Sequence, residues 1–124
     1  MTIMDGTGGL GGNSISFCFA FKQVLVYEIN SDRFSYLKKN MANYKFNNYQ
    51  LFNNNCLKNL NSNIDIYFFD PPWGGPDYKN EEVIRLNLDN KSLLNIIIDI
   101  KKINSDSFIC FKLPYNYDLS EFSE

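Results

Sequence analysis

A chain of 124 residues, 44% hydrophobic and 16% aromatic, has enough apolar side chains for one compact domain; it is too apolar to be disordered and too short for two domains. Lys and Arg number 12 against 14 Asp and Glu, a net charge of −2, so the chain lacks the basic field that holds a long duplex by its phosphates. There is no histidine, which removes imidazole as base, proton shuttle or zinc ligand.

Residues 2–4 form a short apolar strand that ends at Asp5, and glycines follow at positions 6, 8, 9, 11 and 12. Asn13 is placed to cap a helix running to about residue 21. Residues 23–27, Gln-Val-Leu-Val-Tyr, predict a strand ending at Glu28. Asn30 or Ser31 caps the next helix, where Phe34, Leu37, Met41 and Tyr44 recur at helical spacing. Residues 50–52 read as a weak strand. The Asn-rich stretch 53–63 reads as loop, with a short helical turn around Leu57 and Leu60. Residues 64–69 predict a buried strand ending at Asp70, and residues 71–78 a loop. A helix within residues 91–103 carries Leu93, Leu94, Ile97 and Ile98 on one face. Residues 107–113 are the last clear strand, closed by Pro114.

Strands alternate with helices and are nearly continuous apolar runs, the signature of an α/β fold with a parallel sheet covered on both faces. Ligands in such sheets lie beyond the carboxyl ends of the strands. Those ends carry Asp5 with the glycines, Glu28, Asn55 nearby, Asp70 and Pro114. Cys18, Cys56 and Cys110 are widely spaced, with no Cys-x-x-Cys pair, and read as reduced, buried small hydrophobes of an intracellular protein. No apolar run is long enough to span a bilayer, and no signal peptide precedes the first motif.

Asp5-Gly6-Thr7-Gly8-Gly9-Leu10-Gly11-Gly12-Asn13 lies between a strand and a helix. Glycines there let the backbone approach a ligand closely, and no Gly-Lys-Ser/Thr follows to make a Walker loop. Glu28, at the end of the second strand, suits both hydroxyls of an adenosine ribose, whether in a nicotinamide dinucleotide or in S-adenosylmethionine. The most informative stretch is Asp70-Pro71-Pro72-Trp73-Gly74-Gly75-Pro76-Asp77-Tyr78. Two prolines fix φ and remove two backbone donors, leaving a stiff loop of bare carbonyl oxygens. The Asp70 carboxylate and the Pro71 carbonyl are suited to accept both hydrogens of one exocyclic amine and to hold its nitrogen toward a methyl donor. Trp73 offers a flat face for a base, and a cationic 7-methylated guanine gains a cation–π attraction there.

These residues resemble the trimethylguanosine synthase family, which methylates the 2-amino group of a 7-methylguanosine cap. The nine-residue loop beginning at Asp70 carries most of the likeness. Gly-Leu-Gly-Gly-Asn, ending at Asn13, resembles the family's donor loop, and Leu113-Pro114-Tyr115-Asn116 its Leu-Pro-x-Asn segment. The resemblance implies a Rossmann-like class I methyltransferase fold, S-adenosylmethionine as cofactor and capped RNA as partner. It implies that Asp5, Gly6, Gly9 and Gly11 line the donor site, with Glu28 on the ribose and Asp70 bordering it. Asp70, Pro71, Pro72 and Trp73 become the catalytic loop. Trp73, Gly74, Pro76, Tyr78 and Asn116 border the cap. Asn55 is an amide where the family tends to place an acid near the adenine, with Asn54 the alternative contact, and Tyr115 stands where a basic residue is often found. The family also has a helical segment ahead of the first strand and two strands after the fifth. The expectation is therefore a core incomplete at both ends, completed by flanking segments or a protein partner. Three other readings stay open: an adenine 6-amino methyltransferase on RNA or DNA, a catalytically inactive binding or scaffold module, and a nicotinamide-dependent oxidoreductase that leaves the Pro-Pro-Trp loop unexplained.

Overall fold

The computed structural model describes residues 1–72 and 87–123. In chain order these hold β1 (Thr2–Asp5), α1 (Gly12–Ala20), β2 (Gln23–Tyr27), α2 (Ser31–Ala42), β3 (Tyr49–Phe52) and β4 (Ile66–Phe69). A short hairpin of β5 (Asn87–Leu88) and β6 (Lys91–Ser92) then leads into α3 (Leu93–Ile103) and β7 (Phe108–Phe111). Short 3-10 helices occupy Cys56–Lys58 and Leu119–Ser123.

Five strands form one parallel sheet in the order β3-β2-β1-β4-β7. Successive residues of a strand face opposite sides of a sheet, and here both sides are buried. Ile3, Val24, Val26 and Phe68 enter one core with Cys18 of α1 and with Leu37 and Met41 of α2. Met4, Tyr27, Tyr67 and Phe69 enter the other, with Leu93, Ile96 and Ile100 of α3. Right-handed crossovers require this arrangement. The chain winds from β1 through β2 to β3 with α1 and α2 on one face. It then returns to the other side of β1 with α3 on the opposite face. The reversal falls between β1 and β4, where an open parallel sheet leaves a crevice at its carboxyl edge.

Several local expectations are revised. Asn13 does not cap α1; Gly11 stands at the cap with φ 103°, while the Asn13 amide donates to Asp70 Oδ2 at 3.3 Å. Asn30 caps α2, its Oδ1 accepting from the Arg33 amide at 2.9 Å. Tyr44 lies beyond α2 and stacks on Phe46. In α3 the buried face is Leu93, Ile96 and Ile100, and Ile98 is exposed. Ser92 caps that helix, accepting from the Asn95 amide at 3.2 Å. The β5–β6 turn was not foreseen; Asp89 and Asn90 both take positive φ, 52° and 63°, as a two-residue hairpin turn of matching twist requires. Cys18 and Cys56 are buried but Cys110 is exposed. Among the described residues β7 is an edge strand. Cys110 and Phe108 lie on the same side of the sheet as Ile66 and Phe68, and both are exposed there.

Candidate active site

The carboxyl ends of β1, β2, β3 and β4 open on a cleft of about 880 Å³, within the size range of small-molecule and cofactor sites. Its wall on the β1 side is the glycine loop. Gly6 N donates to the Phe68 carbonyl at 2.9 Å and Gly8 N to the Tyr27 carbonyl at 2.8 Å, so the loop is sewn to both neighbouring strands. A Cβ on Gly8 would stand 2.6 Å from Val26 Cγ1. The close approach therefore depends on glycine.

Behind the loop, Asp5 is fully buried. It accepts from the Thr7 amide at 3.1 Å and the Ser14 hydroxyl at 2.5 Å. Asp5 holds the loop in shape and does not itself line the cleft; nor does Gly11, where a Cβ would meet Leu37 at 3.1 Å. Burial pushes the Asp5 carboxyl up to about 6 from 3.8, opposed by its hydrogen bonds and assisted by the nearby charge of Asp70. The folded chain thus binds this proton more tightly than the unfolded chain. The stabilisation is full below pH 4 and is lost as pH rises through about 6, which amounts to about 3 kcal/mol. Asp5→Asn is expected to cancel that loss. Urea titrations at pH 4 and pH 7 should show the variant gaining on wild type as pH rises, and a stability difference that ignores pH would contradict this account.

Glu28 closes the second side. It is 5% exposed; Oε1 accepts from the Gly9 amide at 2.8 Å, Oε2 from the Asn30 amide at 2.7 Å, and Arg33 stands 3.5 Å away. The carboxylate is thereby fixed at the cleft wall, with lone pairs left for further donors. Asn53 ties the end of β3 to this corner through the Glu28 carbonyl at 2.8 Å. Asn54 and Asn55 line the cleft next to it, as does Cys56. Burial, and then the charges of Asp5 and Asp89, push the Cys56 thiol up to about 12. It offers no thiolate for nucleophilic chemistry near neutral pH.

The third side is Asp70-Pro71-Pro72 at the end of β4. The Asp70 amide donates to Thr7 Oγ1 at 2.6 Å, and its Oδ2 lies 3.3 Å from Asn13 Nδ2 and 3.9 Å from Lys112 Nζ. Pro71 is buried and Pro72 exposed. Of the residues singled out in the sequence, Gly6, Gly9, Glu28, Asn54, Asn55, Asp70, Pro71 and Pro72 share this cleft. Asn116 is buried and is not part of its lining. Trp73, Gly74, Pro76 and Tyr78 lie outside the described residues. The sequence reading missed Thr7, Arg33, Asp89 and Lys112, which also line it. Lys112 closes the last apolar strand, so strand-end polarity was the signal for it. The adjacent Asp-Asn pair was the faint signal for the turn carrying Asp89.

The model of the RNA cap guanine-N2 methyltransferase family matches residues 1–124. An uncharacterized protein of Acanthamoeba polyphaga mimivirus is 36% identical over 98% of this chain and 49% of its own length. Trimethylguanosine synthase of Saccharomyces cerevisiae is 29% identical over 98% of this chain and 41% of its own length. The chain thus spans about half or less of these curated relatives. An rRNA methylase from Streptococcus thermophilus superposes with a TM-score of 0.57 at 14% identity, covering 83% of this chain and 54% of that one. A Streptococcus mutans protein solved in complex with SAH does so at 0.56 and 12% identity, over 82% and 53%. These superpositions show a Rossmann-like methyltransferase fold, and the match along the whole chain shows that it belongs to the RNA cap guanine-N2 methyltransferase family.

Proposed function

We propose that this chain is a methyltransferase core that transfers a methyl group from S-adenosylmethionine to the exocyclic 2-amino group of a 7-methylguanosine RNA cap. The observation that carries the reading is that Asp70-Pro71-Pro72 and Glu28 face one cleft, joined by a glycine loop that bonds to both. The cleft fits such a donor: its size is right, one wall is rich in glycine, and a fixed carboxylate stands at the end of β2. When bound, the donor would supply a methyl group activated by its sulfonium, which would leave as the neutral thioether; the amine would need no prior deprotonation and its surplus proton would pass to water afterwards, so a chain without histidine suffices.

The chain's own residues then bind and orient. Gly6 and Gly9 give the donor room, and Glu28 accepts from its ribose hydroxyls. Asp5 and Gly11 support the loop from behind. Asp70 and the Pro71 carbonyl accept the two amine hydrogens and aim the nitrogen lone pair, while Pro72 keeps the loop stiff. Trp73 stacks on the methylated guanine, with Gly74, Pro76, Tyr78 and Asn116 bordering it. These last five roles rest on the resemblance in sequence.

The test uses radiolabelled S-adenosylmethionine with 7-methylguanosine cap analogue, unmethylated cap or an adenine-containing oligonucleotide. Label on the 7-methylated cap alone is the expected result. Label on adenine would transfer the assignment to an adenine 6-amino methyltransferase, and donor binding without transfer would leave a binding module. Glu28→Ala is expected to raise the donor Kd by about 10- to 100-fold, as for a charged hydrogen bond, with little change in cap affinity. Unaltered donor affinity in calorimetry would remove Glu28 from the site.

A further inference from the structure

We propose that Asp89 recognises the adenine of the donor, its carboxylate accepting a hydrogen bond from the 6-amino group. The inference rests on the reading of the cleft as the donor site and adds a specificity residue to it. A carboxylate accepts and never donates when ionised, so it favours a 6-amino purine over a 6-oxo purine. The amides at the end of β3 are poorly placed for that task because they are committed within the chain. Asn54 Oδ1 accepts from the Asn55 amide at 2.7 Å, and Asn55 Oδ1 accepts from the Leu57 amide at 3.0 Å.

What Asn55 has left is its Nδ2, and this donates to Asp89 Oδ2 at 2.6 Å. Asn55 therefore works as a bracket. It draws a carboxylate from 34 residues further along the chain to the cleft corner at the end of β3. Asp89 and its neighbour Leu88 line the same cleft as Glu28 and the glycine loop. Leu88 packs against the α3-side core, and the paired positive φ values at Asp89 and Asn90 fix the turn tightly. One carboxylate oxygen is thus pinned by Asn55. The other, Oδ1, has no hydrogen-bond donor among the described residues and is available to a ligand.

The test measures binding of S-adenosylhomocysteine and its 6-oxo counterpart, S-inosylhomocysteine, to the whole chain by calorimetry, before and after Asp89→Asn. The variant keeps an oxygen for Asn55 Nδ2, so its melting temperature should stay near wild type. Its amide can also donate to a 6-oxo group. Wild type is expected to prefer the adenine compound by about 10-fold or more. In Asp89→Asn the adenine compound should weaken by about 10- to 100-fold and the 6-oxo compound should hold or tighten, erasing the preference. Equal weakening of both compounds, or no change in either, would overturn the assignment while leaving the donor site standing. If wild type binds the adenine compound with no preference, Asp89 likewise loses its role. If wild type binds neither compound, the donor-site reading falls and this inference falls with it.

Discussion

Asp70→Ala is expected to lower methyl transfer at saturating donor and cap by about 100- to 1000-fold, the scale seen when one preorganised polar contact to a reacting group is removed. Donor affinity should stay within about threefold, because Glu28 and the glycine loop are untouched. The reasoning starts at the atoms. The Asp70 backbone is fixed by its amide to Thr7 Oγ1 at 2.6 Å, and its side chain projects from the end of β4 into the cleft. An amine nitrogen held at two hydrogens has only one direction left for its lone pair, so losing one acceptor frees the nitrogen to rotate. Folding should barely respond. The Asp70 contacts to Asn13 and Lys112 are long, at 3.3 and 3.9 Å, and Lys112 is largely exposed, a setting in which ion pairs contribute about 0–1 kcal/mol. Asp70→Asn keeps one acceptor but sets an amide against the Asn13 amide, and should fall between wild type and Ala. Single-turnover rates beside calorimetric donor binding make the separation. An Ala variant that keeps more than about a tenth of the rate would mean that the amine is held elsewhere, and parallel loss of donor binding would move Asp70 to the donor.

Much of the fold was legible because a parallel sheet buried on both faces leaves a blunt signal. Val24-Leu25-Val26-Tyr27 and Tyr67-Phe68-Phe69 are apolar at every position, and each is followed by a single acid, Glu28 or Asp70. The strand ends could be read from that contrast, and with them the convergence of the glycine loop, Glu28 and Asp70 on one cleft. Helix orientation was not legible to the same degree. Between Leu93 and Ile103 apolar residues fall on every side of α3, so a stripe of Leu93, Leu94, Ile97 and Ile98 matches the helical period as well as Leu93, Ile96 and Ile100 does. The lie of the sheet decides between them, and that is a tertiary fact. Asp5 reads in the sequence as a ligand contact because an acid stands before a glycine loop, whereas its burial and its bond from Ser14 are visible only in the fold. Asp89 escaped notice because its reach to Asn55 is a property of the hairpin, and Asp-Asn is a weaker turn signal than Asn-Gly.

Phe69→Ala is expected to cost about 3–5 kcal/mol of stability, a large share of the ~5–15 kcal/mol available to a domain, with a fall in Tm of roughly 10–20 °C. Phe69 has no exposed surface and lies in the α3-side core, its ring 5.4 Å from that of Phe111. Its second neighbour makes it a site residue in effect. A Cβ built on Gly6 would stand 2.5 Å from Phe69 Cε1 and 2.7 Å from Cδ1. The ring is thus the floor on which the glycine loop rests, and truncation should weaken donor binding as well as folding. A double-mutant cycle separates this support from generic core loss. Gly6→Ala in the wild-type background drives a methyl into the ring, an overpacking that costs about 1–3 kcal/mol. In the Phe69→Ala background the same methyl enters vacated space, with Cys56 Sγ still close at 2.9 Å. The two changes should therefore couple favourably by about 1 kcal/mol or more in urea denaturation. Simple additivity would show that the loop carries its own shape through the bonds to Phe68 and Tyr27, and that the ring below serves the core alone.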